Sequence, residues 1–158
     1  MTTSSLILEK YWDRYFPVDI LSIAKKTVVS IDNKNYKIIV QQIKDDYVSG
    51  RAFFADNNFV LQYNINEHHL RQRFVIAHEL GHIVLGHVKY NKSKIDNNKT
   101  TFNQKEIDAN NFAISILMPK NSVRHYHYGF ASITALASIF DVSEIAMKNR
   151  LINLSLPC

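Results

Sequence analysis

Two histidines and a glutamate stand together as His78-Glu79-Leu80-Gly81-His82, inside the longer run 73–87. In a helix each residue turns about 100°, so His78 and His82 lie roughly 40° apart, one turn above the other. Imidazoles stacked in this way can bind one tetrahedral Zn²⁺, and Glu79 beside them can take a proton from a water on that ion. The same spacing also arises where polar residues merely edge a core helix. The neighbours favour the first reading. Phe74, Val75, Ile76, Ala77, Leu80, Ile83, Val84 and Leu85 make the segment apolar around most of its circumference. Burying His and Glu there is costly unless a metal or hydrogen bonds satisfy them.

Two histidines and a water leave one protein ligand to find. His87 follows His82 by five residues, which on a continuous helix is roughly 140° away from the ligand face. The pattern that recruits a third histidine is His-Glu-x-x-His-x-x-Gly-x-x-His, and the corresponding positions here hold Leu85 and Val88. His87 therefore reads as a helix-end residue, favourable near the negative end of the dipole. Glu106 is the better candidate, at the start of the next helix and across a loop long enough to bring that helix back antiparallel. Glu106 and Asn110 share a face, with Asp108 about 200° away. A His₂Glu set with an open fourth position is the arrangement of catalytic zinc, although a glutamate also simply suits a helix amino terminus. Asn110 is then placed to hydrogen-bond a ligand imidazole. The ligand set suits Zn²⁺, and Mn²⁺ or another divalent ion is compatible with it.

The elements that must position these residues follow from periodicity and turn chemistry. Apolar residues recur at helical spacing over 6–26, interrupted at Pro17, with Asp19 as cap of a short helix over 20–26. Strand-like runs cover 36–43, 47–55 and 59–63, separated by turn signals at Asp45-Asp46 and Asp56-Asn57-Asn58. They predict a small antiparallel three-stranded meander leading into the motif helix, with Asn64 or Asn66 as its cap. The polar stretch 89–101 predicts a loop suited to mobility and able to lie over the cleft. Helix resumes over 104–117, and Pro119 stops it or starts the next helix. Two further helical segments over 133–154 meet near Asp141, with Ser143 as cap. The expected fold class is α+β: one domain over 1–158, with a catalytic core over 1–130 and a helix-turn-helix-like pair over 131–158.

Bulk properties set outer bounds. Of the 158 residues, 46% are hydrophobic and 21% charged, the balance of an ordinary globular domain. A net charge of +5 permits contact with an acidic partner, but no dense Lys/Arg run supports a nucleic-acid tract. Cys158 is the single cysteine, so thiolate metal sites and internal disulfides are excluded. The opening residues lack the pattern of a secretory signal, and no apolar run approaches the roughly 20 residues of a membrane span. The expectation is a soluble cytoplasmic protein.

The motifs at 74–87, 106–113 and 117–119, then 136–143 and Arg150-Leu151, together resemble the ImmA/IrrE family of zinc metallopeptidases, and the likeness reaches upstream to Val18-Asp19-Ile20. That resemblance implies a zincin-like minimal metallopeptidase fold, with His78, His82 and Glu106 as ligands and Glu79 as the catalytic carboxylate. It also implies an intracellular endopeptidase whose substrates are helix-turn-helix repressors encoded on mobile elements or in stress regulons. Asn110 departs from the family pattern, standing where Asp is often found; a hydrogen bond is kept and a charge lost.

The expected chemistry is metal-assisted amide hydrolysis, with Glu79 passing the water proton to the leaving nitrogen. An oxyanion donor is also needed, and the cluster Arg124-His125-Tyr126-His127-Tyr128 offers candidates, although aromatic packing at a helix end is the more economical reading. His68 and His69 read as surface or capping residues. The helix pair over 133–151 can in principle read DNA, but its second helix offers only Lys148 and Arg150 as basic groups. Packing or repressor docking is the better expectation for it. A regulator that binds a repressor or DNA without cutting, or a toxin-like peptidase, are the alternatives.

Overall fold

The structure is a computed structural model that describes residues 2–90, 102–129 and 132–158. Two helices open the chain. Thr2 caps α1 (Thr3–Tyr11) by accepting from the Ser5 amide, and Asp19 caps α2 (Ile20–Lys26) by accepting from the Ser22 amide at 2.9 Å. Between them the chain leaves helical geometry from Trp12 through Val18, as the break at Pro17 predicts.

Four strands follow: β1 (Val28–Ile31), β2 (Lys34–Ile43), β3 (Gly50–Ala55) and β4 (Asn58–Asn64), in the spatial order β1-β2-β4-β3. This corrects the expected three-stranded antiparallel meander in two respects. First, β1 pairs antiparallel with β2 through a tight turn in which Asp32 and Asn33 take φ 50° and 60°, the left-handed pair that two-residue hairpins favour. Second, β2 and β4 run parallel, from Ile38 opposite Phe59 to Ile43 opposite Asn64. The physical reason lies in burial. Phe59, Val60, Leu61, Tyr63 and Asn64 are all buried, so β4 has apolar cover on both faces and takes the middle of the sheet. The chain must then carry β3 to the outer edge, where the Asp56-Asn57 turn (φ 48° and 57°) returns it as an antiparallel partner of β4.

The motif helix α3 (His69–Val84) packs its apolar face, with Val75, Ile76, Ala77, Leu80 and Ile83 buried, against the sheet and against α4 (Phe102–Leu117). Its cap is His68, whose Nδ1 accepts from the Leu70 amide at 3.3 Å, and not Asn64 or Asn66. Asn64 is buried under the 44–49 loop, where its amide donates to the carbonyls of Asp45 and Val48. The Asn66 amide in turn donates to Asn64 Oδ1. At the other end Gly86, at φ 74°, stops the helix. Residues 91–101, most of the loop expected over 89–101, lie outside the described residues.

Pro119 precedes α5 (Lys120–His127), and Ser143 caps α7 (Glu144–Asn153) after α6 (Ile133–Phe140). These helices enclose a second apolar cluster of Met118, Val123, Leu136, Phe140, Met147 and Leu151, with Phe16 and Val142 touching both cores. Asp141, in left-handed conformation at φ 50°, ties the turn back to α3: its carboxylate meets Arg73 Nε at 3.1 Å and His69 Nε2 at 2.9 Å. Arg150 is half-buried and donates from Nε to the Met118 carbonyl at 3.0 Å. Packing therefore occupies one of the two basic groups that a DNA-reading helix would have offered. No helix among the described residues is long and apolar enough to cross a membrane.

Candidate metal centre

Among the described residues, His78, His82 and Glu106 form a group whose ligand atoms lie within 4.8 Å of one another. The helical step puts both histidines on the side of α3 that its core-facing residues leave free, and antiparallel α4 delivers Glu106 across from them. His78 Nε2 and His82 Nε2 are 3.0 Å apart, and each lies 3.2 Å from its own oxygen of the Glu106 carboxylate. A tetrahedral zinc with bonds of 2.0–2.1 Å sets neighbouring ligand atoms about 3.3 Å apart. The three observed separations, two of them to different oxygens of one carboxylate, are each close to that spacing. Asp108 is directed elsewhere, accepting from Gln104 Nε2 at 2.9 Å.

The outward nitrogens of both imidazoles are also engaged. His78 Nδ1 lies 2.9 Å from Asn110 Oδ1. The oxygen can only accept, so the imidazole proton sits on Nδ1 and the Nε2 lone pair faces the cluster. His82 Nδ1 lies 3.1 Å from Nδ1 of His87. His87 is where helical projection fails: α3 ends at Val84, and the turn at Gly86 folds the ring back on His82 instead of leaving it roughly 140° away. The Gly-His pair after an apolar helix was the available signal, since glycine there marks a left-handed helix end.

Electrostatics suit cation binding. Burial, then the neighbouring His78, holds His82 well below the imidazole range, so it is neutral and can offer a lone pair. Burial and then Lys105 also lower His87. Glu79 is pushed up to about 7, first by burial and then by the Glu106 carboxylate. A cation between the three ligand residues would add opposite charge beside Glu79 and draw that carboxyl back down. The donor set fits a divalent ion.

His78, Glu79, His82 and Glu106 line one wall of an open cleft of about 630 Å³. The facing wall is β3, residues Gly50 to Phe54, which sequence reading did not assign to the site. Because β3 ends the strand order, its outer backbone edge has no partner strand among the described residues. A Cβ on Gly50 would collide with Val75 Cγ1 and lie 3.4 Å from Glu79 Cγ. Only glycine lets the strand approach the motif helix so closely. None of Arg124, His125, Tyr126, His127 and Tyr128 lines this cleft. Tyr126 packs edge-on against Phe16 and Phe140, and His127 Nε2 bonds the Pro157 carbonyl at 2.8 Å. Of the two readings of that cluster, these contacts match packing at a helix end, and it offers this cleft no oxyanion donor. His69 is largely exposed, bound to Asp141, and also away from the cleft.

A family model, Peptidase_M78, described as the IrrE N-terminal-like domain, matches residues 31–152. No curated protein matches the chain. Among solved structures, a chain described as a Mycobacterium tuberculosis transcriptional regulator is similar at 16% identity and a TM-score of 0.50. The match covers 73% of this chain and 36% of that one, so this chain spans little more than a third of its length. At that identity the likeness is one of fold.

Proposed function

The chain belongs to the IrrE N-terminal-like family of peptidases, and on that basis we propose that it is a zinc-dependent endopeptidase acting on a protein substrate. The observation that carries the proposal is the convergence of His78, His82 and Glu106, with ligand atoms 3.0–3.2 Å apart, beside a half-buried Glu79 and a strand edge that has no partner strand among the described residues. His78, His82 and Glu106 hold the ion, and Asn110 orients His78. Bound zinc supplies Lewis acidity to a water and to the scissile carbonyl. A purely structural metal site has no use for a carboxylate that stands beside its ligands without joining them.

Glu79 takes the water proton on its carboxylate and returns it to the leaving amide nitrogen. The outer edge of β3 receives an extended substrate segment by main-chain pairing, which fixes the backbone while leaving side chains free to choose pockets. The Gly50 contact with the motif helix keeps that edge at a set height above Glu79. Substrate class follows from the family resemblance: a helix-turn-helix transcriptional repressor, whose cleavage would release its genes. The description of the fold-similar Mycobacterium tuberculosis chain as a transcriptional regulator fits a setting in transcription control.

The test is to incubate the zinc-loaded protein with the repressor encoded beside its gene and look for a discrete fragment. The fragment is expected with wild type and absent with chelator or with Glu79→Gln. Tight association of wild type with the repressor without any fragment would favour a non-cleaving regulator instead.

A further inference from the structure

The two histidines of the cluster are supported unequally. His78 has Asn110 Oδ1 at 2.9 Å, an atom that only accepts. His82 has His87 Nδ1 at 3.1 Å, an atom that accepts in one neutral tautomer and donates in the other. The approach is built by the chain: Gly86 at φ 74° reverses direction, and the His87 amide donates to the His82 carbonyl at 2.8 Å. The rings then meet edge to face with centroids 5.1 Å apart.

Two ring nitrogens at this distance share one proton. His82 Nε2 faces His78 Nε2 and Glu106 Oε1, at 3.0 and 3.2 Å. An imidazole that offers Nε2 to a cation carries its proton on Nδ1, and that proton requires an acceptor. His87 Nδ1 is that acceptor only when His87 carries its own proton on Nε2. We infer that His87 is a positioning residue, which fixes His82 as the Nδ1–H tautomer and holds its ring toward the ion. The inference rests on the metal reading of His78, His82 and Glu106. It goes beyond that reading by adding a residue outside the ligand set, and by assigning the protonated nitrogen of each ring.

The experiment is zinc titration of the full chain against a chromophoric chelator, comparing wild type, His82→Ala, His87→Phe and His87→Asn. Long-range ¹H–¹⁵N spectra of the zinc forms read the tautomer of His82. Phenylalanine keeps the ring's bulk but removes Nδ1, whereas asparagine places an acceptor oxygen where Nδ1 stood. His87→Phe is expected to weaken zinc binding about 10–100-fold, and His87→Asn to recover most of the loss. Wild type should show His82 protonated on Nδ1. Zinc affinity in His87→Phe equal to wild type, or equal losses in the Phe and Asn variants, would overturn the assignment. If His82→Ala binds zinc as wild type does, the metal reading itself fails, and this inference falls with it.

Discussion

Gly81 and Ala109 meet nearly backbone to backbone: a β-carbon built on Gly81 would lie 3.3 Å from both the Cα and the carbonyl oxygen of Ala109. It would also lie 3.0 Å from Cδ1 of Phe112. Gly81 immediately precedes His82, and Ala109 lies on the helix that carries Glu106 and Asn110. The missing side chain at Gly81 and the small one at Ala109 therefore set how closely α3 and α4 approach. That separation places Glu106 3.2 Å from both imidazoles and lets Asn110 reach His78.

Enlarging this contact should separate the helices. Gly81→Val is expected to cost about 1–3 kcal/mol of stability from overpacking and to weaken zinc binding more than the stability loss alone explains. Urea midpoints and zinc titration on the same preparation check this. A variant that loses stability but keeps wild-type zinc affinity would show that the helix spacing does not govern the site.

Glu79→Gln keeps the size of the side chain and removes its ability to carry a proton. Zinc content should stay at the wild-type level while peptide hydrolysis falls by about 10²–10⁴, the usual share of general acid–base catalysis. Metal analysis and turnover must be measured together. Full cleavage by a zinc-loaded Glu79→Gln protein would remove Glu79 from the mechanism.

Metal removal should be visible without a substrate. Zinc at a thousand times its dissociation constant adds about 4 kcal/mol to the folded state, and a domain of this size gains about 2–4 °C of Tm per kcal/mol. Thermal melts with zinc and with chelator are expected to differ accordingly in wild type. In His78→Ala and Glu106→Ala that difference should largely vanish. Retention of the full shift in Glu106→Ala would discard it as the third ligand.

Asp45 predicts an acid limb to stability. The amides of Tyr47 and Val48 donate to its carboxylate at 2.8 and 2.9 Å and hold it below the ordinary carboxylate range. A carboxyl whose folded pKa is depressed contributes stability that is complete above the unfolded value, about 3.9. That contribution is lost as pH falls through the lower folded value. Stability measured from pH 6 downward should therefore fall less steeply in Asp45→Ala than in wild type. The readout is the urea midpoint across that range.

Asp141→Ala should loosen the C-terminal helices from the motif helix. It removes the carboxylate that meets Arg73 and His69, leaving the largely buried Arg73 with backbone acceptors at Asp141 and Phe140. A loss of about 1.5–3 kcal/mol is expected for a hydrogen bond to a charged group. Hydrogen exchange of α6 and α7 should rise more than that of β4. Uniform exchange changes would count against a local clamp.

What the sequence by itself determined was local. The apolar periodicity of 73–85 specified a buried helix, and the four-residue step specified that His78 and His82 share its face. Asp19, Ser143 and Pro119 marked helix starts, because capping and proline chemistry act within one turn. The Glu106–Asn110 face was legible for the same reason. Tertiary structure decided the rest, wherever an outcome depended on which elements compete for the core. The strand-like runs 36–43 and 59–63 reveal strands but not their neighbours, and the doubly buried β4 displaced β3 to the edge. That displacement put Gly50 and its strand opposite Glu79. The reversal at Gly86 returned His87 to His82, since a helical wheel holds only while the helix lasts. His78 and His82 were nameable as candidate ligands from their spacing and Glu106 as a candidate from its helix face; the 3.0–3.2 Å separations exist because Gly81 lets a second helix come close.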